Sequence, residues 1–441
     1  PDESTWSRAF GAFLTKVAEA LVDLFAVTAD PRYRESAIAI CDAALQFQAP
    51  EGKIQTSTGK IELHPHCYAA EGFLHVGRET NCQRFVDAAK RATEWALRRC
   101  EAGEIPQSFD FTTTDALSRF RTDSLAQVLA LGSDLRHMGQ LDSTLEPRLD
   151  ELATKILSMR SQTPSYYRYG YYEKPFRGKH EAETRSYWTN MFCLRGLHRY
   201  YISHLINNTY VVILAGGIGS RVWPISCENR PKPVSLSLLG DRSLLQETVR
   251  RFRYDQLIPA DHIYILCSRS AIDKVVEQVS ADGISLNNCI IEEVPRGTIP
   301  AVNIARRSLP DMTDDMERLV VVSMADNVIQ PVHNFQSALV AALMAAREND
   351  TLVSIGRPVE DPSKCDDRFG HMKYQRRIEN YRTYEVDRFI EKPDANEFTE
   401  LSAVAGNLAW ESGCVIFKEK YYEQVVAHDK KSGNLAEHLL C

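Results

Sequence analysis

The spacing of apolar residues changes once along this 441-residue chain, near Asn207-Asn208-Thr209, and the change dictates two architectures in one polypeptide. Before it, apolar residues recur with helical period. Phe10, Phe13, Leu14, Val17 and Leu21 fall at i, i+3, i+4, i+7 and i+11, as do Phe85, Ala88, Ala89, Ala92 and Ala96. Breaks are expected at Ala29-Asp30-Pro31, Pro50-Glu51-Gly52, Gly103-Glu104-Ile105-Pro106 and Gly132-Ser133. At about 12–15 residues per helix, residues 1–206 hold roughly eight helices and form an all-helical domain. After the switch, Tyr210–Leu214, Ile263–Cys267, Cys289–Ile291, Leu319–Ser323 and Leu352–Ile355 read as strands. Leu244–Phe252, Ala271–Val279, Pro300–Leu309 and Phe335–Glu348 read as the helices between them. Residues 207–441 are thus an α/β domain with a parallel or mostly parallel sheet, helices on both faces and a ligand site at the carboxyl ends of the strands.

Composition narrows the function classes. With 44% apolar and 25% charged residues the chain is a folded globular protein. A net charge of −7 without a basic run argues against nucleic acid as partner. Ala338–Ala346, nine residues, is the longest apolar run, whereas a membrane helix needs roughly 20, so no membrane span is expected. The opening Pro-Asp-Glu-Ser-Thr-Trp has neither a basic start nor an apolar signal core, so a cytoplasmic location is expected. Eleven cysteines without a CxxC pair suit reduced, buried thiols better than bridges or zinc.

Chemistry concentrates after the first strand of the second half. Leu214-Ala215-Gly216-Gly217-Ile218-Gly219-Ser220-Arg221-Val222-Trp223-Pro224 is followed by Arg230-Pro231-Lys232-Pro233. Glycines there let backbone N–H groups approach a polyphosphate, and Arg221 and Lys232 supply countercharge. A tight strand-to-helix turn would also explain the glycines alone. The order fits neither G-x-x-x-x-G-K-[ST] nor G-x-G-x-x-G.

From about Val211 to Phe417 the sequence resembles the sugar-1-phosphate nucleotidyltransferases, most closely the mannose-1-phosphate guanylyltransferase branch. The resemblance is carried by Gly216–Ser226, Pro231-Lys232-Pro233 and Ser243-Leu244-Leu245-Gln246-Glu247-Thr248. It continues through Arg296-Gly297-Thr298-Ile299-Pro300-Ala301, Met324-Ala325-Asp326-Asn327, Phe369-Gly370-His371 and Phe389-Ile390-Glu391-Lys392-Pro393. It implies a Rossmann-like α/β domain that joins a nucleoside triphosphate, GTP favoured, to a sugar 1-phosphate and releases pyrophosphate. Leu214, Ala215, Gly216, Gly217, Gly219, Ser220, Arg221, Arg296, Thr298 and Asp326 would then meet the nucleotide. Arg221, Lys232 and Asp326 would be catalytic, Asp326 would hold Mg²⁺, and Gly370, Glu391, Lys392, Glu411 and Ser412 would meet the sugar phosphate.

The sequence departs from that pattern where Asn327 replaces a His, Gly297 an Asn, and Glu411-Ser412-Gly413 an Asn-Ser-Gly. The family's second metal-binding Asp has no clear match, Asp429 being the nearest residue. The C-terminal β-helix or isomerase extension is unmatched, which leaves a homo-oligomer open. A non-catalytic, sugar-nucleotide-binding regulatory subunit is the alternative from another class. In the helical half, His64–Gly72 and Glu183–Phe192 resemble segments of the N-acylglucosamine 2-epimerase superfamily, an (α/α) toroid. That resemblance implies either a sugar isomerase or epimerase activity or a scaffold role. Tyr166, Tyr167, Tyr169, Tyr171 and Tyr172 suit a sugar-stacking cleft or plain packing. His64 and His66, two apart, do not share a helix face and are not expected to pair on a metal.

Overall fold

The computed structural model of the chain describes residues 11–56, 59–117, 119–161, 166–167, 187–216, 222–227, 229–238, 240–254, 257–310, 318–359, 369–378, 383–393, 396–397 and 408–422. The chain divides into two compact units, Pro1–His204 and Leu205–Cys441.

The first unit carries seven α-helices among its described residues: α1 (Thr15–Thr28), α2 (Pro31–Leu45), α3 (Leu63–Glu79), α4 (Gln83–Leu97), α5 (Thr122–His137), α6 (Glu146–Ser158) and α7 (Tyr187–Ile206), whose last two residues belong to the second unit. Asp30 starts α2 by accepting from Arg32 N, with Pro31 at the first helical position. Each of α1, α3 and α5 packs on the helix that follows it, and α1 packs on α3 and α3 on α5. This is the layering of an (α/α) toroid. Gly196 lets α7 join the row: a Cβ there would lie 2.5 Å from the Ala126 carbonyl oxygen of α5.

One expectation is corrected here. Gly132-Ser133 is no break but the middle of α5, where the missing side chain admits Leu149 of α6, whose Cδ2 would lie 2.5 Å from a Cβ at Gly132. Two short strand pairs accompany the helices: β1 (Lys60–Glu62) pairs antiparallel with β2 (Ser108–Asp110) and β3 (Arg160–Ser161) with β4 (Tyr166–Tyr167). His66 is a packing residue: its Nδ1 accepts from Ile54 N, its Nε2 donates to the Ala92 carbonyl, and burial lowers its pKa to about 4. The side chains of Tyr166, Tyr167, Tyr169, Tyr171 and Tyr172 lie outside the described residues.

The second unit is built on β5 (Thr209–Leu214), β6 (Ile263–Ser268), β7 (Cys289–Glu292) and β8 (Leu319–Met324). Helices α8 (Lys232–Ser235), α9 (Leu244–Arg253), α10 (Ile272–Val279), α11 (Thr298–Arg307) and α12 (Val332–Glu348) connect or follow them. Strands β8, β5, β6 and β7 run parallel in that order. Burial on both faces explains why Tyr210–Leu214 and Leu319–Ser323 read as continuous apolar runs. Tyr210, Val212, Val320 and Val322 pack with Ala301, Val302 and Ala305 of α11. Ser243 and Gln246 cap α9 reciprocally.

The sheet is mixed rather than mostly parallel. Strands β9 (Val353–Pro358), β10 (His371–Ile378), β11 (Thr383–Ile390) and β12 (Leu408–Lys418) extend it antiparallel, with β12 pairing β8, β9 and β10. None of the described helices is long and apolar enough to cross a membrane. The nine described cysteines are free, and burial pushes the Cys41 thiol up to about 12.

Candidate functional site

The chain runs from β5 outward to β6 and β7, then crosses back to β8 on the other side of β5, so the strand order reverses between β5 and β8. Open sheets leave a crevice at the carboxyl ends of such strands. Backbone bonds fix its floor. Ala325 N donates to the Leu214 carbonyl at 3.1 Å, and Ala215 N donates to the Leu266 carbonyl at 2.8 Å.

Lys232, the first residue of α8, and Asp326, just past β8, meet across this floor, Nζ to Oδ2 at 2.9 Å. Both remain partly exposed. A cation and a carboxylate so placed can offer positive charge to a phosphoryl oxygen and negative charge to a metal ion. Gly217, Gly219, Ser220 and Arg221 lie outside the described residues. Arg296 is exposed before α11 and Thr298 opens that helix; among the described residues neither bonds to the Lys232–Asp326 pair.

A second group gathers around Gly370. A Cβ on Gly370 would lie 2.9 Å from Glu391 Oε2 and 2.8 Å from Phe389 Cζ, so only glycine admits Glu391 so close. Glu411 N donates to the Gly370 carbonyl, and Lys392 Nζ pairs with Glu391 Oε1 at 2.7 Å. Four of the residues expected to meet the sugar phosphate are therefore neighbours. The Glu411 carboxylate also serves its own strand: Ser354 Oγ donates to Oε1 at 3.2 Å, and the amides of Gly413 and Cys414 bond to it. Burial, the largest influence, raises its pKa above the carboxylate norm, against the pull of those donors.

The two groups are linked through Asn327, which departs from the branch pattern, and Ser412-Gly413, which keep it. Asn327 Nδ2 donates to the Ser412 carbonyl at 2.9 Å, and a Cβ on Gly413, whose φ is +71°, would lie 2.5 Å from that nitrogen.

Sequence reasoning missed three residues. Arg251, buried in α9, donates to the Asn327 carbonyl at 3.0 Å and to Thr248 Oγ1 at 3.2 Å. Thr248 Oγ1 in turn donates to the Ala325 carbonyl. Both therefore brace the Asp326 turn from behind. The third is Glu292, the buried last residue of β7, with an Oε1 that lacks a partner among the described residues and an Oε2 3.5 Å from where a Cβ of Gly216 would be. A charged residue closing the apolar run Cys-Ile-Ile-Glu was its signal in the sequence.

For the divalent cation, the donor chemistry fits an ion that arrives with phosphate. Among the described residues no group of three metal-binding side chains exists, whereas Mg²⁺ is commonly held by one or two carboxylates plus substrate phosphate.

The chain is 32% identical over 220 residues to the alginate biosynthesis protein AlgA of Pseudomonas aeruginosa, covering 49% of this chain and 44% of that protein. It is 33% identical over 211 residues to the mannose-1-phosphate guanylyltransferase RfbM of Salmonella typhimurium, covering 48% and 42%. The chain thus spans less than half the length of these relatives. A solved structure named mannose-1-phosphate geranyltransferase, from Thermus thermophilus, aligns with a TM-score of 0.42 at 26% identity over 53% of this chain and 66% of that one. The nucleotidyl transferase family matches residues 210–440, just over half of the sequence. With that match, the chain belongs to the nucleotidyl transferase family.

Proposed function

We propose that this protein is a sugar-1-phosphate nucleotidyltransferase that makes a nucleoside-diphosphate sugar, with GTP the favoured nucleotide. The observation that carries the reading is the Lys232–Asp326 pair at the reversal point of the sheet, by the end of β5 that precedes the glycine-rich sequence.

In this reaction an oxygen of the sugar 1-phosphate attacks the α-phosphorus of the triphosphate, the α–β phosphoanhydride bond breaks, and pyrophosphate leaves. Two anions must be held in line and their charge offset, so positioning and cations supply most of the acceleration. Lys232 neutralises charge at the α-phosphate, Gly216 and the glycines after it give amides to the phosphates, and Arg221 faces the leaving pyrophosphate. Asp326 holds a divalent cation, Mg²⁺ in this reading, which when bound neutralises charge on the triphosphate. Glu391 accepts from sugar hydroxyls, and Lys392 meets the sugar phosphate.

Glu292 supports the choice of GTP. Guanine presents two adjacent donors, N1–H and the 2-amino group, and a buried carboxylate with an oxygen unpartnered among the described residues can accept both.

The test is a panel of nucleoside triphosphates and sugar 1-phosphates with Mg²⁺, followed by pyrophosphate release. Product should require both substrates and be greatest with GTP. Release of no product from any pair at high protein concentration would leave a binding subunit as the reading.

A further inference from the structure

Helix α3 of the first unit carries a stripe that the nucleotidyl transfer chemistry does not use. His64, Tyr68, Glu71, His75 and Arg78 recur at alternating spacings of four and three, which is one face of a helix, yet most of α3 is buried. Polar groups on a buried helix face are costly unless they are partnered. Glu71 is partnered, accepting from Lys16 of α1 at 2.7 Å and Arg195 of α7 at 3.2 Å. His75 faces Asp23 of α1 at 2.8 Å. Arg78 is different: its Nε is buried without a hydrogen-bond partner among the described residues.

Arg78 borders a cavity of about 70 Å³ where α1, α3, α5 and α7 converge. Close backbone approach builds the walls: a Cβ on Gly72 of α3 would lie 2.5 Å from the backbone of Thr15 in α1, and Gly196 brings α7 onto α5. Arg199 of α7 lines the same cavity, held among the described residues by a long contact to Asp134 of α5, Nη1 to Oδ1 at 3.5 Å. Three arginines, Arg78, Arg195 and Arg199, and three carboxyls, Glu19, Glu71 and Asp134, line the cavity; Arg195 pairs with Glu71 and Arg199 with Asp134, which leaves Arg78 as the lining arginine without an ion pair among the described residues. At roughly 10–15 Å³ per water-sized sphere, the space takes about five to seven such spheres, enough for a phosphoryl group.

We propose that this cavity is a binding site for a phosphate monoester, whose phosphoryl oxygens are taken by the guanidinium groups of Arg78 and Arg199. Two guanidiniums from different helices give the forked donors that a tetrahedral oxyanion accepts. Burial, the largest influence on both, raises the carboxyls of Asp134 and Glu19 above their ordinary range, against the pull of the neighbouring cations. The site is separate from the proposed nucleotide site and does not depend on the reading of that site.

The test is calorimetric titration of the full chain with inorganic phosphate and with mannose 6-phosphate, with sulfate as a control for bare anion binding. The variants are R78M, R199Q and K232A. Arg78→Met should weaken phosphate binding about tenfold or more, the loss expected for a hydrogen bond to a charged group. Arg199→Gln, on a half-exposed side chain, should weaken it in the same direction, and Lys232→Ala should leave this binding in place. Melting curves without ligand establish that each variant is folded, and R199Q alone decides if R78M is not. The proposal is overturned if phosphate does not bind, if binding survives both arginine changes, or if only Lys232→Ala abolishes it.

Discussion

Lys232 and Asp326 are 94 residues apart in sequence and 2.9 Å apart in space. An exposed pair of this kind contributes only about 0–1 kcal/mol to stability, so its removal separates a chemical role from a structural one. We expect Lys232→Ala and Asp326→Asn each to lower turnover by about 10²-fold or more while the melting temperature barely moves. Arg251 offers a contrast on the same turn. It is buried with no carboxylate at hydrogen-bond distance among the described residues, and burial lowers its pKa to about 10. Because it touches the Asp326 turn only through Asn327 and Thr248, it acts as a positioning residue. Arg251→Met should shift the Mg²⁺ titration to higher concentration, and Arg251→Lys, with one of the two bonds restored, should fall between. Full turnover in Asp326→Asn, or an unmoved Mg²⁺ titration in Arg251→Met, would contradict these assignments.

At the scale of elements, the interruption in β12 shapes the side of the candidate site proposed to meet the sugar phosphate. Strand β12 pairs β9 up to Glu411 and again from Val415, and the residues between bulge out to meet Asn327. Glu411 holds the bulge through its bonds to Ser354, Gly413 and Cys414, at the cost of a buried carboxylate. Its folded pKa lies above the ordinary 4.5, so its stabilising contribution is full below that value and is lost as pH rises through the raised one. Glu411→Gln should therefore gain stability relative to the parent as pH goes from 4 to 8, read as diverging melting temperatures. Parallel curves would remove the buried charge from the account. Such a bulge was not legible in Leu408–Lys418, where Glu-Ser-Gly simply breaks an apolar run. Strands β10 and β11 were equally hidden: β11 is mostly exposed, so no inward face imposed an alternating pattern. By contrast β5, β6 and β8 were legible to within a residue because both their faces are buried. The candidate site residues stand in the sequence as ordered motifs, whereas Arg251 and Thr248 gained meaning only from the contacts that packing gave them.

For the whole molecule, the open question is whether its two units need each other. The first has a core of its own, built from residues such as Phe73, Phe85, Trp95, Leu125 and Leu149, and the second has another on β5, β6 and β8. The start of the second unit is itself firmly built. Leu205, Ile206 and Thr209 are buried, Thr209 Oγ1 donates to the Leu205 carbonyl, and Leu319 N donates to the Asn208 carbonyl. A protease needs an extended, open segment, so cleavage between Ile206 and Thr209 is not the measurement that reports independence. Separate expression is. We propose that residues 205–441 fold alone, since the backbone bonds of β5 are satisfied by β6 and β8 of the same unit. That fragment should melt cooperatively and release pyrophosphate at a rate within a few-fold of the full chain, and residues 1–204 should show a separate helical transition. A fragment 205–441 that is unfolded, in conditions where the full chain melts in one step, would mean that the first unit completes the second, and the helical unit would then be a folding partner of the transferase unit.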